Sequence, residues 1–214
     1  MDKCVICGNY TNRISDPQIS VTYQHCEQCG FIYKEKKYHL DKAQEIEQYQ
    51  RHNNSFESKG YVEMFERFIN HHIKPLGIKG KALEFGSGPG PVLKEMLIQE
   101  TDLEVFDFDP FFNCNIEYRN HKFNLITSTE VVEHFYDPMK EFKHLADLLA
   151  PGGNLVIMTK FRNMSQKEFL NWWYRRDFTH VSFYHKRTFE YIAKELGLNI
   201  VFNNMENIII FEKI

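Results

Sequence analysis

The chain has 214 residues, of which 43% are hydrophobic and 26% charged, a composition that suits one good globular core with a small appendage. Its formal net charge of −3 argues against a large positively charged surface that binds nucleic-acid phosphates. No apolar run approaches the roughly 20 residues that span a bilayer, and the N-terminus is not a secretory signal, so we expect a cytoplasmic protein with no membrane partner.

Four of the five cysteines form two Cys-x-x-Cys pairs near the N-terminus, and they are Cys4, Cys7, Cys26 and Cys29. The 18 residues between the pairs suit two zinc knuckles that together complete a tetrahedral thiolate shell. A closed shell favours structural over catalytic zinc, and the alternative of two disulfides fits a reducing cytosol poorly. We therefore predict a zinc-binding module over residues 1–40.

Residues 41–79 are predicted to be a helical linker. A polar helix comes first, and an amphipathic helix follows from Ser58 to His72, with apolar residues at three- and four-residue intervals. Either Ser55 or Ser58 is expected to cap this second helix.

From residue 80 onward, short apolar runs alternate with helical patterns. This alternation predicts an α/β fold with a parallel sheet and helices on both faces, closed by an antiparallel hairpin. The predicted strands are 82–85, 103–108, 123–127, 155–159, 200–203 and 207–212, and the predicted helices are 92–99, 139–149 and 186–196. The fifth cysteine, Cys114, is expected to pack as a small hydrophobe.

The stretch from Leu83 to Gly90 reads Leu-Glu-Phe-Gly-Ser-Gly-Pro-Gly and joins the first strand of this sheet to its first helix. Glycine lacks a Cβ, so the backbone can turn tightly and approach a ligand closely, as in nucleotide-cofactor sites. The spacing is Gly-x-Gly-x-Gly rather than the Gly-x-Gly-x-x-Gly of dinucleotide-binding proteins. This form resembles the first motif of class I S-adenosylmethionine (SAM) methyltransferases.

Later segments extend the resemblance over about residues 80–214. Residues 123–134, 148–155 and 180–184 are similar to the fourth-strand segment of that superfamily, the turn before its fifth strand and its late His-Val-x-x-Phe segment. The chain is also similar to bacterial methyltransferases that carry a zinc ribbon and have no assigned substrate. The resemblance implies a Rossmann-like class I methyltransferase sheet over residues 80–214, with SAM as the cofactor.

A cofactor with a ribose needs a carboxylate at the tip of the second strand. The apolar alternation favours Asp109 for this role, with Asp107 as the alternative. In related enzymes a tyrosine-containing segment also folds over the cofactor, and here Tyr49, His52, Asn53 and Asn54 are the candidates. The full set of expected cofactor-binding residues is Glu84, Gly86, Ser87, Gly88, Gly90, Asp109, Pro110, Phe111, Thr129, Glu130 and Tyr49.

Only 13 residues separate Asp109 from Phe123. Fully extended they reach about 43 Å, which is enough to cross the sheet but leaves no room for a further βα unit. We therefore predict that strand three of the family's sheet is missing or vestigial. The acidic residue that usually holds the adenine amino group is then lost, and Phe111 and Phe112 either stack on the adenine or belong to the core.

The segment Glu130-Val131-Val132-Glu133-His134 is expected to bring its three polar side chains to one face of a helical turn. Its Glu-x-x-Glu-His pattern is similar to that of small-RNA 2′-O-methyltransferases and ubiquinone-pathway O-methyltransferases, where it implies a divalent cation such as Mg²⁺. Glu130, Glu133, His134 and His180 are the candidate ligands, and His180, His134 and Glu130 are the candidate catalytic residues. The alternative is that Glu133 and His134 only bond the backbone.

The segment from Trp172 to His180 has two interpretations. It either forms a pocket for a flat or anionic acceptor, or it is a helix whose aromatic side fills the core while Arg175 and Arg176 reach solvent. His180 is the best single candidate for a base.

We predict a SAM-dependent methyltransferase that methylates an oxygen of a small-molecule acceptor. One alternative is an RNA methyltransferase whose zinc module grips nucleic acid, which the net charge disfavours and the lysines Lys34, Lys36, Lys37 and Lys42 slightly favour. Another is a non-catalytic SAM-binding protein that docks a partner through the zinc module.

Overall fold

The computed structural model describes residues 2–51 and 54–214. Two of the predicted lid residues, His52 and Asn53, lie outside this described part. Within it, the chain forms a four-stranded sheet and a six-stranded sheet. None of the described helices is both long and apolar enough to cross a membrane.

The N-terminal region begins with an antiparallel meander that we call the ribbon (residues 2–40). Its strands are β1 (Asn12–Asp16), β2 (Val21–His25) and β3 (Ile32–Lys34). The helix α1 (Lys42–Gln50) follows, and it begins where the Asp41 carboxylate accepts hydrogen bonds from the backbone N–H groups of Ala43 and Gln44. Such a cap satisfies amides that the first helical turn would otherwise leave unpaired.

The amphipathic helix predicted before the main sheet is α2 (Lys59–Phe68), and a π-helical turn over Ile69–Ile73 extends it. Ser58 precedes α2, but its hydroxyl makes no capping hydrogen bond, so the predicted Ser58 cap is wrong. The reason is local, since Ser58 has a ψ of 87° and is not in the extended conformation that N-cap residues adopt.

The remaining elements build the six-stranded sheet and the helices that cover it. In chain order they are β4 (Gly80–Phe85), α3 (Val92–Glu100), β5 (Leu103–Phe108), β6 (Phe123–Thr129), α4 (Pro138–Leu148), β7 (Leu149–Met158), α5 (Gln166–Phe169), β8 (Ser182–Phe183), α6 (Lys186–Leu196), β9 (Leu198–Asn203) and β10 (Ile208–Lys213). The sheet order is β5-β4-β6-β7-β10-β9. The first four strands are parallel, and β10 pairs antiparallel with both β7 and β9.

This order confirms the predicted fold class, including the missing third strand. Strand β5 stands at the edge of the sheet. Residues 110–122, all of them described, contain a single bridge between Asp109 and Asn113 and a 3-10 turn over Glu117–Asn120, but no strand. Cys114 lies in this short polar connection, where its thiol is exposed and donates to the Pro110 carbonyl at 3.2 Å. The prediction that Cys114 is packed is therefore wrong.

Strand β7 begins earlier than the sequence predicted. The helix α4 ends at Leu148, and Leu149 is already extended, with a ψ of 140°. The pairing with β6 shifts, because Phe123 lies opposite Leu149 while Leu125 lies opposite Asn154. The Pro-Gly-Gly sequence that was expected to separate helix from strand is thus a bulge inside the strand.

The two faces of the large sheet bury separate cores. One face packs against α2 and α3, and the other packs against α4 and α6. The second core also contains Cys4, Cys26, Cys29 and Phe31 of the ribbon. The ribbon sheet in turn gains a fourth strand from the far part of the chain, since β3 pairs antiparallel with β8.

Candidate functional site

The glycine loop connects β4 to α3 at the carboxyl end of the sheet. Gly86 has a φ of +87°, and a Cβ placed on it would lie 2.4 Å from Cγ2 of Val131. Its N–H donates to the Phe108 carbonyl at 2.7 Å, which fixes the turn against β5. A side chain at Gly86 would therefore be strained by both backbone and packing.

The two carboxylates considered for the ribose have different surroundings. Asp107 is engaged by Lys94 Nζ at 2.7 Å and by Asn113 Nδ2 at 2.7 Å. Asp109 accepts from the backbone N–H of Gly88 at 2.9 Å, and its other oxygen caps the turn after β5 by accepting from the Phe111 N–H. Because each carboxylate oxygen has two lone pairs, Asp109 can accept further hydrogen bonds beside the glycine loop. Asp107, in contrast, is paired with the Lys94 ammonium group.

Glu84 is buried under the same loop. Its Oε2 accepts from the backbone N–H of Lys94 at 3.0 Å, in the first turn of α3. Burial raises the pKa of Glu84 to about 8, because a charged carboxylate is poorly solvated in the interior. In this structure the side chain therefore caps a helix and is predominantly protonated at neutral pH.

The segment before α2 covers the glycine loop. A Cβ on Gly90 would lie 2.1 Å from the backbone oxygen of Asn54. The Tyr49 ring of α1 lies 5.5 Å from the Phe111 ring and 5.3 Å from the His134 ring, centroid to centroid. The candidate lid residues Tyr49 and Asn54 thus lie over both the glycine loop and the polar site beside it.

The aromatic pair after β5 does not form two parallel walls. The Phe111 and Phe112 rings are 6.4 Å apart and inclined by 59°, so this geometry does not support an adenine sandwich between them. Pro110 is exposed, and Thr129 is half-buried at the end of β6. The binding roles expected of Ser87, Pro110 and Thr129 stay predictions.

An acid cluster follows β6, in which Glu133 and Tyr174 are buried while Glu130 is exposed. The Tyr174 hydroxyl lies within hydrogen-bond distance of Oε1 of Glu133 and 3.1 Å from Oε2 of Glu130. Thr159 Oγ1 donates to the second oxygen of Glu133 at 2.9 Å. Tyr174 has one proton to donate, so two simultaneous hydrogen bonds need a protonated carboxyl group. Burial raises the pKa of Glu133, and desolvation by the surrounding protein together with the neighbouring Glu133 carboxylate raises that of Glu130, which supports a shared proton in this pair.

Two histidines lie beside Glu133. The Nδ1 of His134 is 3.0 Å from the Thr179 carbonyl, and the Nδ1 of His180 is 2.8 Å from the Tyr174 carbonyl. A carbonyl only accepts, so each Nδ1 carries the proton and each Nε2 presents a lone pair. Burial lowers the pKa of His134 and lowers that of His180 to about 3, so both imidazoles are neutral at physiological pH.

The donor set of these residues fits a divalent cation. One ligand atom each from Glu133, His134 and His180 lies within 4.8 Å of the others. Two imidazoles and a carboxylate are ligands that transition metals accept, and the Nδ1–H bonds to backbone carbonyls are the outer contacts that orient metal-binding histidines. Glu130 does not belong to this group.

The expected helical turn over residues 130–134 is wrong in its first residue. Glu130 is left-handed, with a φ of +53°, and the 3-10 turn begins only at Val132. Its side chain therefore contacts Tyr174 instead of joining the histidines.

Sequence reasoning also missed Thr159 and Tyr174. Thr159 directly follows β7, the strand beside β6, and this position at a strand end could have identified it as a site residue. For Tyr174 the sequence offered no such signal apart from its aromatic neighbours.

The segment from Trp172 to His180 matches neither interpretation fully. It forms a 3-10 turn over Trp173–Arg176 instead of a longer helix. Arg175 does not reach solvent, since its side chain is fully buried and forms an ion pair with Asp16 at 3.1 Å. Arg176 is exposed as expected.

The two cysteine pairs come together as predicted from their spacing. Their Sγ atoms all lie within 4.8 Å of one another, with Cys4 and Cys29 at 3.6 Å and Cys7 and Cys26 at 3.4 Å. Four thiols in one cluster fit a tetrahedral metal such as zinc.

Comparisons with known proteins agree with this architecture. A family model described as a methyltransferase domain matches residues 49–202. A SAM-dependent methyltransferase from Archaeoglobus fulgidus superposes with a TM-score of 0.52 at 18% identity, over 71% of this chain and 94% of that one. An O-methyltransferase family protein from Burkholderia thailandensis gives 0.52 at 13% identity, over 73% of this chain and 56% of that one.

A third solved structure, a mitomycin 7-O-methyltransferase, gives a TM-score of 0.50 at 10% identity, over 74% of this chain and 59% of that one. The chain thus spans little more than half the length of the Burkholderia and mitomycin proteins. At these identities the likeness establishes the fold. No curated protein sequence matches the chain significantly.

Proposed function

This chain belongs to the methyltransferase domain family and is a SAM-dependent methyltransferase, and we propose that it methylates an oxygen of a small-molecule acceptor. The observation that carries the proposal is the cluster of two glutamates, a tyrosine and two neutral histidines at the carboxyl end of β6, beside the glycine loop, in which Glu133, Tyr174 and His180 are buried. Two of its structural neighbours are described as O-methyltransferases.

The cofactor is proposed to lie along the glycine loop. Gly86 and Gly88 supply the positive φ angles with which the loop is proposed to turn around the amino-acid end of the cofactor, and Asp109 is proposed to accept from the ribose hydroxyls. Tyr49 and Phe111 close over the site from α1 and from the turn after β5. This arrangement directs the sulfonium toward Glu130 and the histidine pair.

The transfer itself is an in-line displacement. A lone pair of the acceptor oxygen forms a bond to the methyl carbon, and the electrons of the carbon–sulfur bond return to sulfur to give S-adenosylhomocysteine (SAH). A hydroxyl acceptor must also lose a proton. His180 Nε2 is proposed to take it, because this atom carries a lone pair and lies 3.9 Å from the Asp177 carboxylate, which would stabilise the imidazolium that forms.

We propose two metal sites of different kinds. Cys4, Cys7, Cys26 and Cys29 hold a structural zinc ion, since four thiolates leave no open position. Glu133, His134 and His180 hold a divalent cation that, when bound, lowers the pKa of an acceptor hydroxyl. With such a cation bound, His180 Nε2 would be a ligand and would not be free to act as the base.

Glu133→Gln separates the two metal sites. The variant is expected to bind less Mn²⁺ in a titration followed by electron paramagnetic resonance, while its zinc content stays unchanged. Equal Mn²⁺ binding by variant and wild type, or full methyl transfer in excess chelator, would exclude the second site.

The RNA alternative has less support. Lys34, one of four lysines that could have met a phosphate backbone, is buried, and Lys37 is paired with Glu35 at 3.1 Å. A salt-dependent band shift with RNA would favour that alternative. A cytoplasmic location stays a prediction.

An acceptor screen tests the proposal. The protein is incubated with SAM and a panel of phenols, carboxylic acids and amines, and SAH is measured. We expect SAH with an oxygen acceptor and a loss of about 10²-fold or more in rate for His180→Ala. His71→Ala, at an exposed position on the π-helical turn, is the matched control and keeps its rate. Turnover of amines alone would contradict oxygen methylation, and SAM binding without turnover would favour the non-catalytic alternative.

A further inference from the structure

The ribbon contacts the acceptor side of the site through the backbone. Ile32 and Tyr33 of β3 pair with Phe183 and Ser182 of β8. One residue further along β3, the Lys34 N–H donates to the Val181 carbonyl at 2.8 Å. The stretch that includes His180 is therefore held at the edge of the ribbon sheet.

A buried arginine makes a second connection. The Arg175 guanidinium lies 3.1 Å from the Asp16 carboxylate, and both side chains are fully buried. Its Nη2 also donates to Gln18 Oε1 at 2.7 Å and to the Leu170 carbonyl. Among the described residues, Nε of Arg175 has no aligned hydrogen-bond acceptor, so attraction between opposite charges holds this pair together. Tyr174, which reaches both glutamates, is the residue before this arginine.

A buried lysine makes a third connection. Lys34 is 1% exposed, and its Nζ donates to the Phe178 carbonyl at 2.9 Å. Phe178 is two residues before His180. An ammonium group in the interior is retained only where it is paired or hydrogen-bonded, so Lys34 holds the chain at Phe178 in one place.

The thiol cluster lies at the base of the same strands. Strand β2 ends at the residue before Cys26, and β3 begins three residues after Cys29. The Cys29 carbonyl accepts from Thr188 Oγ1 at 2.9 Å, and the Gly30 carbonyl accepts from Arg162 Nε at 3.2 Å. A metal that ties these cysteines together therefore also fixes the ends of β2 and β3.

We infer that the ribbon holds the wall formed by Trp172–Val181 in its working geometry, and that Arg175 and Lys34 are positioning residues for Tyr174 and His180. Metal loading of the four cysteines is thereby coupled to the order of the acceptor side of the site. The inference rests on the proposed function only in treating Tyr174 and His180 as acceptor-side groups. The coupling itself is a physical property that can be measured without an acceptor.

The chain contains its own probe of this coupling, because both of its tryptophans lie in the wall and Trp172 is half-buried, whereas Trp173 is exposed already. Metal is removed with a chelator from the purified Glu133→Gln variant, which lacks an intact second cation site, metal content is measured, and tryptophan emission and quenching by acrylamide are recorded. We expect a red shift and stronger quenching as the ribbon metal is lost, and reversal when Zn²⁺ is restored. Unchanged emission at zero metal content would overturn the inference.

Variants decide the question if metal removal unfolds the whole chain. Lys34→Met and Asp16→Asn, both loaded with metal, are expected to show stronger tryptophan quenching than wild type while binding SAH with unchanged affinity, since the glycine loop lies elsewhere. Lys36→Met, at an exposed position two residues away, is the matched control and leaves quenching unchanged. The positioning role would be overturned if both test variants showed wild-type quenching. It would also be overturned if the variants lost SAH binding at the same time as their tryptophan quenching increased. Neither outcome depends on whether methyl transfer is observed.

Discussion

At the scale of single residues, the buried charges of this chain differ in how they are compensated. Asp16 and Arg175 neutralise each other, and removal of one partner of such a pair typically costs about 3–5 kcal/mol. Glu84 has no such partner among residues 2–51 and 54–214, where its one hydrogen bond comes from the backbone N–H of Lys94. A buried carboxyl group with one amide partner is more stable in its neutral form.

Glu84→Gln is therefore expected to stabilise the cofactor-free protein at alkaline pH. The folded-state pKa of Glu84 is raised from 4.5 to about 8, so between these values the folded state binds more protons than the unfolded state. Stability of the wild type then falls as the pH rises through this window. The amide keeps an acceptor for the Lys94 N–H, and the gain at pH 8.5 should be on the order of 2–4 kcal/mol.

Thermal unfolding at pH 5 and pH 8.5 measures the effect. The difference between Glu84→Gln and wild type should be small at pH 5 and large at pH 8.5. Glu95→Gln, on the exposed side of α3, serves as the control with no pH-dependent difference. An equal difference at both pH values would show that the Glu84 carboxyl group is not neutral in the folded state.

A candidate for the ribose carboxylate could be chosen where a motif and a strand end coincide, and its binding role stays a prediction. Asp109 was preferred to Asp107 from apolar alternation alone, and Asp107 proves to be paired with Lys94. Tyr174 could not be predicted, because its contacts with Glu130 and Glu133 bridge more than 40 residues and depend on how the wall folds back. The left-handed conformation of Glu130 could not be predicted either, since non-glycine residues rarely adopt it.

At the scale of elements, hydrophobic period and glycine positions predicted most helices and strands. The helix α6 was predicted with its observed ends, because Gly197 terminates it in a left-handed conformation. The start of β7 was missed, because Pro and Gly usually end an element but here form a bulge held by β6. Pairing with a neighbouring strand outweighed the local signal.

Gly90→Ala is expected to displace the segment that covers the glycine loop. The new methyl group would lie 2.1 Å from the Asn54 backbone oxygen, and backbone cannot yield as a flexible side chain can. The chain before α2 must then move outward. We expect faster tryptic cleavage after Arg51 in the variant than in the wild type, measured by mass spectrometry under native conditions.

Gly60→Ala is the matched control for this experiment. Gly60 lies in α2, and nothing lies within 4 Å of a Cβ placed there. The added methyl group should stabilise the helix by about 0.5–1 kcal/mol and should not accelerate cleavage. If Gly90→Ala is cleaved no faster than wild type, the contact between Asn54 and the glycine loop does not hold the lid.

At the scale of the whole molecule, the sequence predicts three parts, with a zinc module at 1–40, a helical linker at 41–79 and a methyltransferase domain at 80–214. That division follows from motifs that are contiguous in sequence. The pairing of Ile32 with Phe183 joins residues about 150 positions apart, and no local sequence pattern predicts it. The ribbon also shares buried residues with the main core, including Cys26 and Phe31 beside Tyr184 and Phe189.

We therefore expect the metal-loaded chain to unfold in one cooperative transition. Calorimetric and van't Hoff enthalpies should agree, because separating the ribbon would expose the edge of β3, the Asp16–Arg175 pair and part of the main core together. Cys4→Ser with Cys29→Ser should lower the midpoint of this single transition, whereas Cys114→Ser, at an exposed thiol, should leave it unchanged. Two resolved transitions, with only the smaller one sensitive to the paired cysteines, would instead show that the zinc module and the methyltransferase domain fold independently.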